Sequence, residues 1–257
     1  MATLAEPAPL TARSDDRFFL IMALVMMAVV FTGFSVHLAM GRSTFARPLV
    51  IHAHAVVFMG WIVLYVLQNI LVNRGSMALH RTLGWIGAVW IIAMIGLGTT
   101  VTVLMVQAGR VPFFFYPVSF LIFDPMTVLT FAGLSYTAIA LRRRTDWHRR
   151  LHYCGMAMLM GPAISRLSPA PLLMPWAYEA AFLPALIFPA IGMIADLRRT
   201  GRIHPAWWWG IGVMIGSILL TNLITYSGVG EAIYHAVTVG TPGASIPPLA
   251  FPPPPGP

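Results

Sequence analysis

Lysine is missing from the sequence, and charge of either sign is scarce. All 16 basic residues are arginines, charged residues make up 9% of the 257 positions, and 58% of the residues are hydrophobic. A soluble domain carries about 25% charged residues. The composition therefore excludes an ordinary soluble domain and indicates an integral membrane protein in contact with a lipid bilayer. The net charge of +8 is then no sign of nucleic-acid binding, and we expect no nucleic-acid partner.

Further absences narrow the chemistry that this chain can carry out. The single cysteine, Cys154, excludes an intrachain disulfide and any multi-cysteine metal or iron–sulfur site, and we interpret it as a small apolar filler. Without lysine there is no retinal Schiff base. The sequence contains no glycine-rich nucleotide loop, no G-x-S-x-G and no H-E-x-x-H motif. Redox or acid–base chemistry must therefore come from His, Arg, Asp, Glu and Tyr within the bundle.

Seven segments are apolar enough to cross a bilayer, which takes roughly 20 residues. They predict an all-α fold, an integral membrane bundle of seven transmembrane helices. The stretch RLSPAPLLMPW (166–176) is rich in proline, so we expect a loop or a broken helix end at the fifth span. The predicted spans are 18–40, 49–72, 83–108, 115–141, 151–168, 177–196 and 206–226.

The arginines predict how the bundle is oriented. Twelve of them lie on the side of the N-terminus, and four lie on the other side: Arg42, Arg47, Arg110 and Arg166. Since cytoplasmic loops are enriched in basic residues, this bias predicts a cytoplasmic N-terminus and a periplasmic C-terminus in a bacterial inner membrane.

The same orientation divides the chain into three parts. Residues 1–17 form a cytoplasmic N-terminal segment, 18–226 the membrane domain, and 227–257 a periplasmic Pro-rich tail. The tail ends in SIPPLAFPPPPGP, which we expect to be extended or disordered because of its proline content.

One face of the second predicted helix carries a stripe of polar and aromatic residues. The spacing i, i+4, i+7, i+11 and i+14 places them on one side of a helix. The stripe is either a packing seam with interhelical hydrogen bonds or the lining of a cofactor site. Its members are His54, Phe58, Trp61, Tyr65 and Gln68.

Six histidines form two sets, one near each membrane face. In the set near the periplasmic face, His37, His52 and His54 lie at the same depth in the membrane. On a regular helix, however, His52 points away from His54. Imidazoles from neighbouring helices are suited to bind haem b, zinc or another transition metal. The alternative is that they form hydrogen bonds to backbone carbonyls. The periplasmic set is His37, His52 and His54, and the cytoplasmic set is His80, His148 and His152. We expect the metal ligands to come from His37, His54, His148 and His152.

An arginine lies within the fifth predicted span. Arg166 follows His148 by five helical turns and so shares its face. Arginine inside a membrane is costly and usually functional. Its candidate partners are haem propionates, an anionic or quinone-like molecule, or the carboxylates of Asp124 and Glu179, which are also candidate acid–base groups.

Two segments carry a resemblance to known proteins. HAHAVVFMGWIVLYVLQNILVNRGSMALHRTLGW and DWHRRLHYCGMAMLMGPAISR resemble a family of bacterial multi-pass membrane proteins of unknown function with an LHR-x-LG turn. That resemblance implies a fold and a topology. The histidine placement is also similar, more loosely, to transmembrane b-type cytochromes, which pair histidines from adjacent helices at both membrane faces and thus imply haem b.

The leading functional hypothesis is a membrane redox protein that binds haem b or a metal ion through these histidines, with a quinone and a membrane or periplasmic electron-transfer partner as further candidates. The first alternative is a non-catalytic subunit, an assembly factor, or a binder or transporter of an apolar small molecule. The 16 Met, 15 Phe and 22 Gly residues suit a pliable binding pocket for such a molecule. The second alternative is a zinc-dependent intramembrane hydrolase that uses Asp124, Glu179, Glu231 and His235.

Overall fold

A computed structural model describes residues 10–254, with side chains from residue 15 onward. Every element in this part of the chain is helical, as predicted. Short 3-10 turns at Ala170–Leu173, Leu183–Leu186 and Pro242–Ser245 separate or follow the longer helices. The α-helices are α1 (Leu10–Ala39), α2 (Leu49–Asn73), α3 (Met77–Gln107), α4 (Pro117–Ala140), α5 (Thr145–Met158), α6 (Gly161–Leu167), α7 (Ala177–Phe182), α8 (Ile187–Thr200), α9 (Pro205–Thr225) and α10 (Gly228–Thr238).

Six helical segments of the described chain are long and apolar enough to cross a membrane. Large apolar side chains such as Val63, Val89 and Leu219 are at least half exposed, where a soluble protein places polar groups. These faces suit contact with lipid, in agreement with a multi-pass membrane protein. The segments are Asp15–Ala39, Leu49–Asn73, Met77–Gln107, Pro117–Ala140, Ala177–Thr200 and Pro205–Thr225.

The fifth predicted span, 151–168, is not one helix. α5 ends at Met158, and α6 begins at Gly161 with Pro162 in its first turn. Proline has no N–H to donate and its ring collides with the carbonyl four residues earlier, so a continuous helix breaks at this point. Neither piece is long enough to cross a bilayer alone, and a count of seven spans is therefore not confirmed.

Consecutive long helices pack against each other from α1 to α5, and α6 returns to pack against α1. α9 contacts both α4 and α5, and α10 covers the ends of α3 and α4. The most completely buried side chains include Trp207, Tyr153, Phe131, Met94 and Met156. The core therefore lies where α4, α5 and α9 meet α1 and α3.

A buried ion pair joins α5 to α8 at the arginine-rich end of the bundle. Arg150 donates two hydrogen bonds to Asp196, with Nε–Oδ2 and Nη2–Oδ1 distances of 2.8 and 2.6 Å. The indole N–H of Trp207 on α9 donates to the same carboxylate at 2.7 Å. Arg150 is 4% exposed and Asp196 1% exposed. The carboxylate thus has three strong donors and no access to water.

The network extends to α1 and to a second contact between α5 and α9. Asp15 forms ion pairs with Arg149 and Arg199. Asp146 lies 2.8 Å from the imidazole Nε2 of His204, the residue that precedes α9. Burial raises the pKa of the Asp146 carboxyl, but the hydrogen bond and charge of His204 and nearby backbone N–H groups together outweigh it, so the pKa lies below its ordinary value. Charged contacts therefore hold α1, α5, α8 and α9 together at the arginine-rich end of the bundle.

The C-terminal segment lies against the bundle as far as it is described, to residue 254. The Tyr234 hydroxyl lies 2.9 Å from the carbonyl oxygens of both Gly243 and Ile246. Because the ring of Phe251 stacks on Tyr116 with centroids 4.2 Å apart, the extended prolines are held against the start of α4. α1 begins within segment 1–17, and α10 lies within segment 227–257.

Removing one partner of the buried ion pair should destabilise the bundle strongly. We expect Asp196→Asn and Arg150→Met each to lower the free energy of unfolding by about 3–5 kcal/mol, because each leaves a buried charge without its partner. Unfolding of the detergent-solubilised protein by SDS, followed by far-UV circular dichroism, measures this. Arg143→Met, at an exposed loop position, is the matched control and should change stability little; equal losses in all three variants would contradict the assignment.

Two glycines of α9 should respond in opposite directions to alanine. A Cβ on Gly210 would overlap Cys154 on α5, whereas a Cβ on Gly212 would meet nothing within 4 Å. We expect Gly210→Ala to cost about 1–3 kcal/mol through overpacking and Gly212→Ala to be neutral or slightly stabilising. The same SDS unfolding assay compares them, and a neutral Gly210→Ala would show that α5 and α9 are packed less closely than described.

Candidate functional site

Three histidines come together near the arginine-rich end of the bundle, and we call them the histidine triad: His80, His148 and His152. His80 lies in the first turn of α3, and the other two lie one turn apart on α5. The ring centroids of His148 and His152 are 4.9 Å apart, and those of His80 and His148 are 6.3 Å apart. The cytoplasmic set inferred from spacing is therefore also a set in space.

The hydrogen bond of His148 determines which of its nitrogens is free. Nδ1 lies 2.8 Å from the carbonyl oxygen of Ala138, in the last turn of α4. A carbonyl can only accept, so Nδ1 carries the proton and Nε2 keeps its lone pair. Metal-binding histidines are typically oriented in this way by a carbonyl on the far nitrogen.

The other end of the triad contains polar atoms without partners. His80 Nδ1 and Gln68 Oε1 are both buried and make no hydrogen bond. Gly84, one turn after His80, leaves space beside the Gln68 amide, which a Cβ there would approach to 3.6 Å. Gln68 is the last member of the polar stripe on α2, so this stripe ends beside the triad.

The spacing of the triad suits imidazoles that share a metal. With metal–nitrogen bonds of about 2.0–2.1 Å, two bound imidazoles have ring centroids roughly 5 Å apart in tetrahedral geometry and roughly 6 Å apart on opposite sides of the ion. The rings match these separations. As the side chains stand, however, no group of three or more His, Cys, Asp or Glu residues within the described chain is arranged to hold a metal ion.

A second group, which we call the inner polar cluster, consists of His37, His54, Asp124 and Arg166. It gathers side chains from α1, α2, α4 and α6, and the charge of Arg166 acts on the other three. Along α2, His54 is 14 residues from Gln68, so this cluster lies about 21 Å from the triad end of the stripe. His52 does not join it, because its Nε2 lies 3.0 Å from the Phe45 carbonyl in the loop before α2.

Arg166 has no carboxylate within ion-pair distance among the described residues. Its guanidinium covers the ring of Phe34 at 4.1 Å and donates to the Pro162 carbonyl at 2.8 Å, while Nε is buried without a partner. Asp124 accepts a hydrogen bond of 3.2 Å from the Thr102 hydroxyl. The other carboxylate considered for Arg166, Glu179, accepts instead from the Asn222 amide at 2.8 Å.

Large aromatic residues of the stripe fill the space between the two polar groups. Trp61 and Tyr65 are both buried, and Trp61 packs edge-on against Phe131 of α4 with centroids 5.1 Å apart. The indole N–H of Trp61 has no hydrogen-bond partner. The stripe is therefore a packing seam in its middle and polar at its two ends.

The residues named for a hydrolase are spread over the molecule. Glu231 and His235 form a pair on α10, 3.6 Å apart, and both side chains are more than 60% exposed. Asp124 and Glu179 are each bonded to a different neighbour. This arrangement does not favour the hydrolase hypothesis.

Spacing alone did not reveal the buried pair of Arg150 and Asp196. The sequence places Arg150 in a run with Arg149, which reads as an ordinary basic loop of a membrane protein. The sequence signal for this pair was Asp196, a lone aspartate that precedes two arginines at the end of α8.

The chain matches no protein-family model, no curated protein and no solved structure. The resemblances to the multi-pass family with the LHR-x-LG turn and to b-type cytochromes therefore stay predictions. What the molecule itself establishes is an all-helical, apolar protein of membrane type.

The hydrogen bond of His148 can be tested without any metal. We expect His148→Ala to cost about 1 kcal/mol, since the Ala138 carbonyl loses its donor. His148→Asn should recover most of this loss, because the asparagine amide nitrogen takes the place of Nδ1. SDS unfolding in the presence of a chelator measures both, with His235→Ala, an exposed histidine on α10, as the control; equal losses from the Ala and Asn variants would contradict the bond.

Proposed function

We propose that this protein is a membrane redox protein that binds haem b or a transition-metal ion through the histidine triad. The observation that carries the proposal is the meeting of three imidazoles from α3 and α5 at ring separations of 4.9 and 6.3 Å. Imidazole suits iron and copper as well as zinc, and iron and copper change oxidation state. Bound there, such a centre would supply one-electron chemistry.

The chain's own groups fit this use. His148 presents Nε2 while Ala138 holds the opposite nitrogen, and His80 has a buried Nδ1 without a partner. An ion shared by the triad would be held by the free Nε2 of His148 together with His80 and His152. For haem b, His80 on α3 and His148 on α5 would be the candidate ligands.

The proposal includes a membrane topology. α5 and α6 together, from Thr145 to Leu167, would make the seventh crossing in two pieces. The arginine-rich end would face the cytoplasm, because cytoplasmic loops carry an excess of basic residues. Exposed Trp85, Trp208 and Trp209 would lie at the membrane interface, where tryptophan is enriched. In a bacterial inner membrane this places the triad near the cytoplasm and leaves room for a membrane or periplasmic electron-transfer partner.

Spectroscopy and metal analysis of the detergent-solubilised protein test the proposal directly. We expect either a Soret band that shifts on addition of dithionite or about one equivalent of copper or iron per chain. His80→Ala and His148→Ala should each remove most of the bound haem or metal, because two imidazoles hold it more weakly than three. His235→Ala, an exposed histidine on α10, is the matched control and should retain it.

The outcomes separate the forms of the proposal. A Soret band identifies haem, and copper or iron without that band identifies a bare ion. Zinc alone would overturn the redox assignment, and folded protein with neither haem nor metal after growth with both would overturn the whole proposal. Loss of the bound group in the His235 variant would show that it is not held by the triad.

A further inference from the structure

The inner polar cluster lies in the apolar layer of the bundle, far from the triad. We propose that it binds a neutral, lipid-soluble ring molecule that carries carbonyl or hydroxyl oxygens, a ligand of the quinone class. The proposal goes beyond the metal centre and rests on different residues. It follows from the unpartnered atoms, the balance of charge and the aromatic walls of the cluster.

Unpartnered polar atoms are the first argument. His37 Nδ1, His54 Nδ1 and Arg166 Nε are buried and make no hydrogen bond. A buried polar atom left without a partner is costly, and native proteins keep few of them. Three on three different helices, all within the influence of one guanidinium, indicate that a bound molecule completes their hydrogen bonds.

The balance of charge selects a neutral ligand. Arg166 and Asp124 are close enough for their charges to interact, yet they are not in direct contact. For an anion, the attraction of Arg166 is offset by the repulsion of Asp124, and for a cation the reverse holds, so the pair favours neither sign of charge. A ring carbonyl can instead accept from the guanidinium, while a ring hydroxyl can donate to the carboxylate or to an imidazole. Quinones and quinols present these two groups on opposite edges of one ring.

Flat aromatic surfaces flank the polar atoms. Phe34 lies 4.1 Å under the guanidinium of Arg166, and Phe58 stacks on the His54 ring with centroids 4.2 Å apart. Gly98 on α3 lets Phe58 approach, since a Cβ there would lie 3.3 Å from that ring. These stacks hold Arg166 and His54 against apolar surfaces beside the unpartnered atoms. Asp124 lies within the apolar segment Pro117–Ala140, so a ligand of this cluster is one that dissolves in lipid.

Binding of a short-chain quinone tests the inference. The probe is 2,3-dimethoxy-5-methyl-6-decyl-1,4-benzoquinone, added to the protein in lipid nanodiscs free of quinone, and the readout is saturable quenching of tryptophan fluorescence. We expect Arg166→Gln and Asp124→Asn each to weaken binding roughly ten- to a hundredfold, because each removes a hydrogen bond to a charged group. Arg47→Gln, an exposed arginine in the loop between α1 and α2, is the matched control and should leave binding within about twofold.

A second ligand keeps the test decisive if a variant fails to fold. Decylbenzene has a ring and the same tail but no ring oxygens, and as a competitor it should not displace the quinone from the unaltered protein. Displacement of the quinone by a similar concentration of decylbenzene, no saturable binding of the quinone, or an unchanged affinity in a folded Arg166→Gln variant would overturn the inference. Displacement of the quinone by benzoate would also overturn it, in favour of an anion site. The quinone assay does not depend on the metal centre, which the His148→Ala variant would lose. Each of the two proposals can therefore be refuted without the other.

Discussion

The architecture depends on one buried carboxylate. Asp196 is enclosed by Arg150, Arg199 and the indole of Trp207, and so it ties α8 to α5 and α9. Asp15 extends the same network to α1. In a bundle whose outer faces meet lipid, apolar burial gives little preference for one helix neighbour over another. Directed charge contacts at one end supply that preference and set which helices lie beside α5.

The triad follows from the way these contacts orient α5. Arg150 lies between His148 and His152 in the sequence and points toward α8, so the two histidines are left on the opposite side of the helix, toward α3. The same short segment thus combines a structural anchor on one face with a candidate ligand set on the other. This arrangement explains why a run of basic residues and histidines occurs at the start of a single helix.

Helical periodicity was sufficient to foresee the all-helical membrane fold, the pairing of His148 with His152, and the separation of His52 from His54. The buried ion pair could not be foreseen, because arginine pairs at loop edges serve orientation in most membrane proteins. The proline-rich stretch 166–176 predicted a break, but the chain already breaks before Pro162. The contacts of the tail, such as Phe251 on Tyr116, could not be foreseen because they join residues far apart in sequence.

The interruption between α5 and α6 has a mechanical consequence. One continuous stretch of chain carries His148 at its start and Arg166 at its end, with a joint at Leu159 and Met160 between them. α5 is clamped by ion pairs, whereas α6 packs mainly on α1. His148 and Arg166 are therefore held by different neighbouring helices, so a substitution that displaces one of these groups need not displace the other.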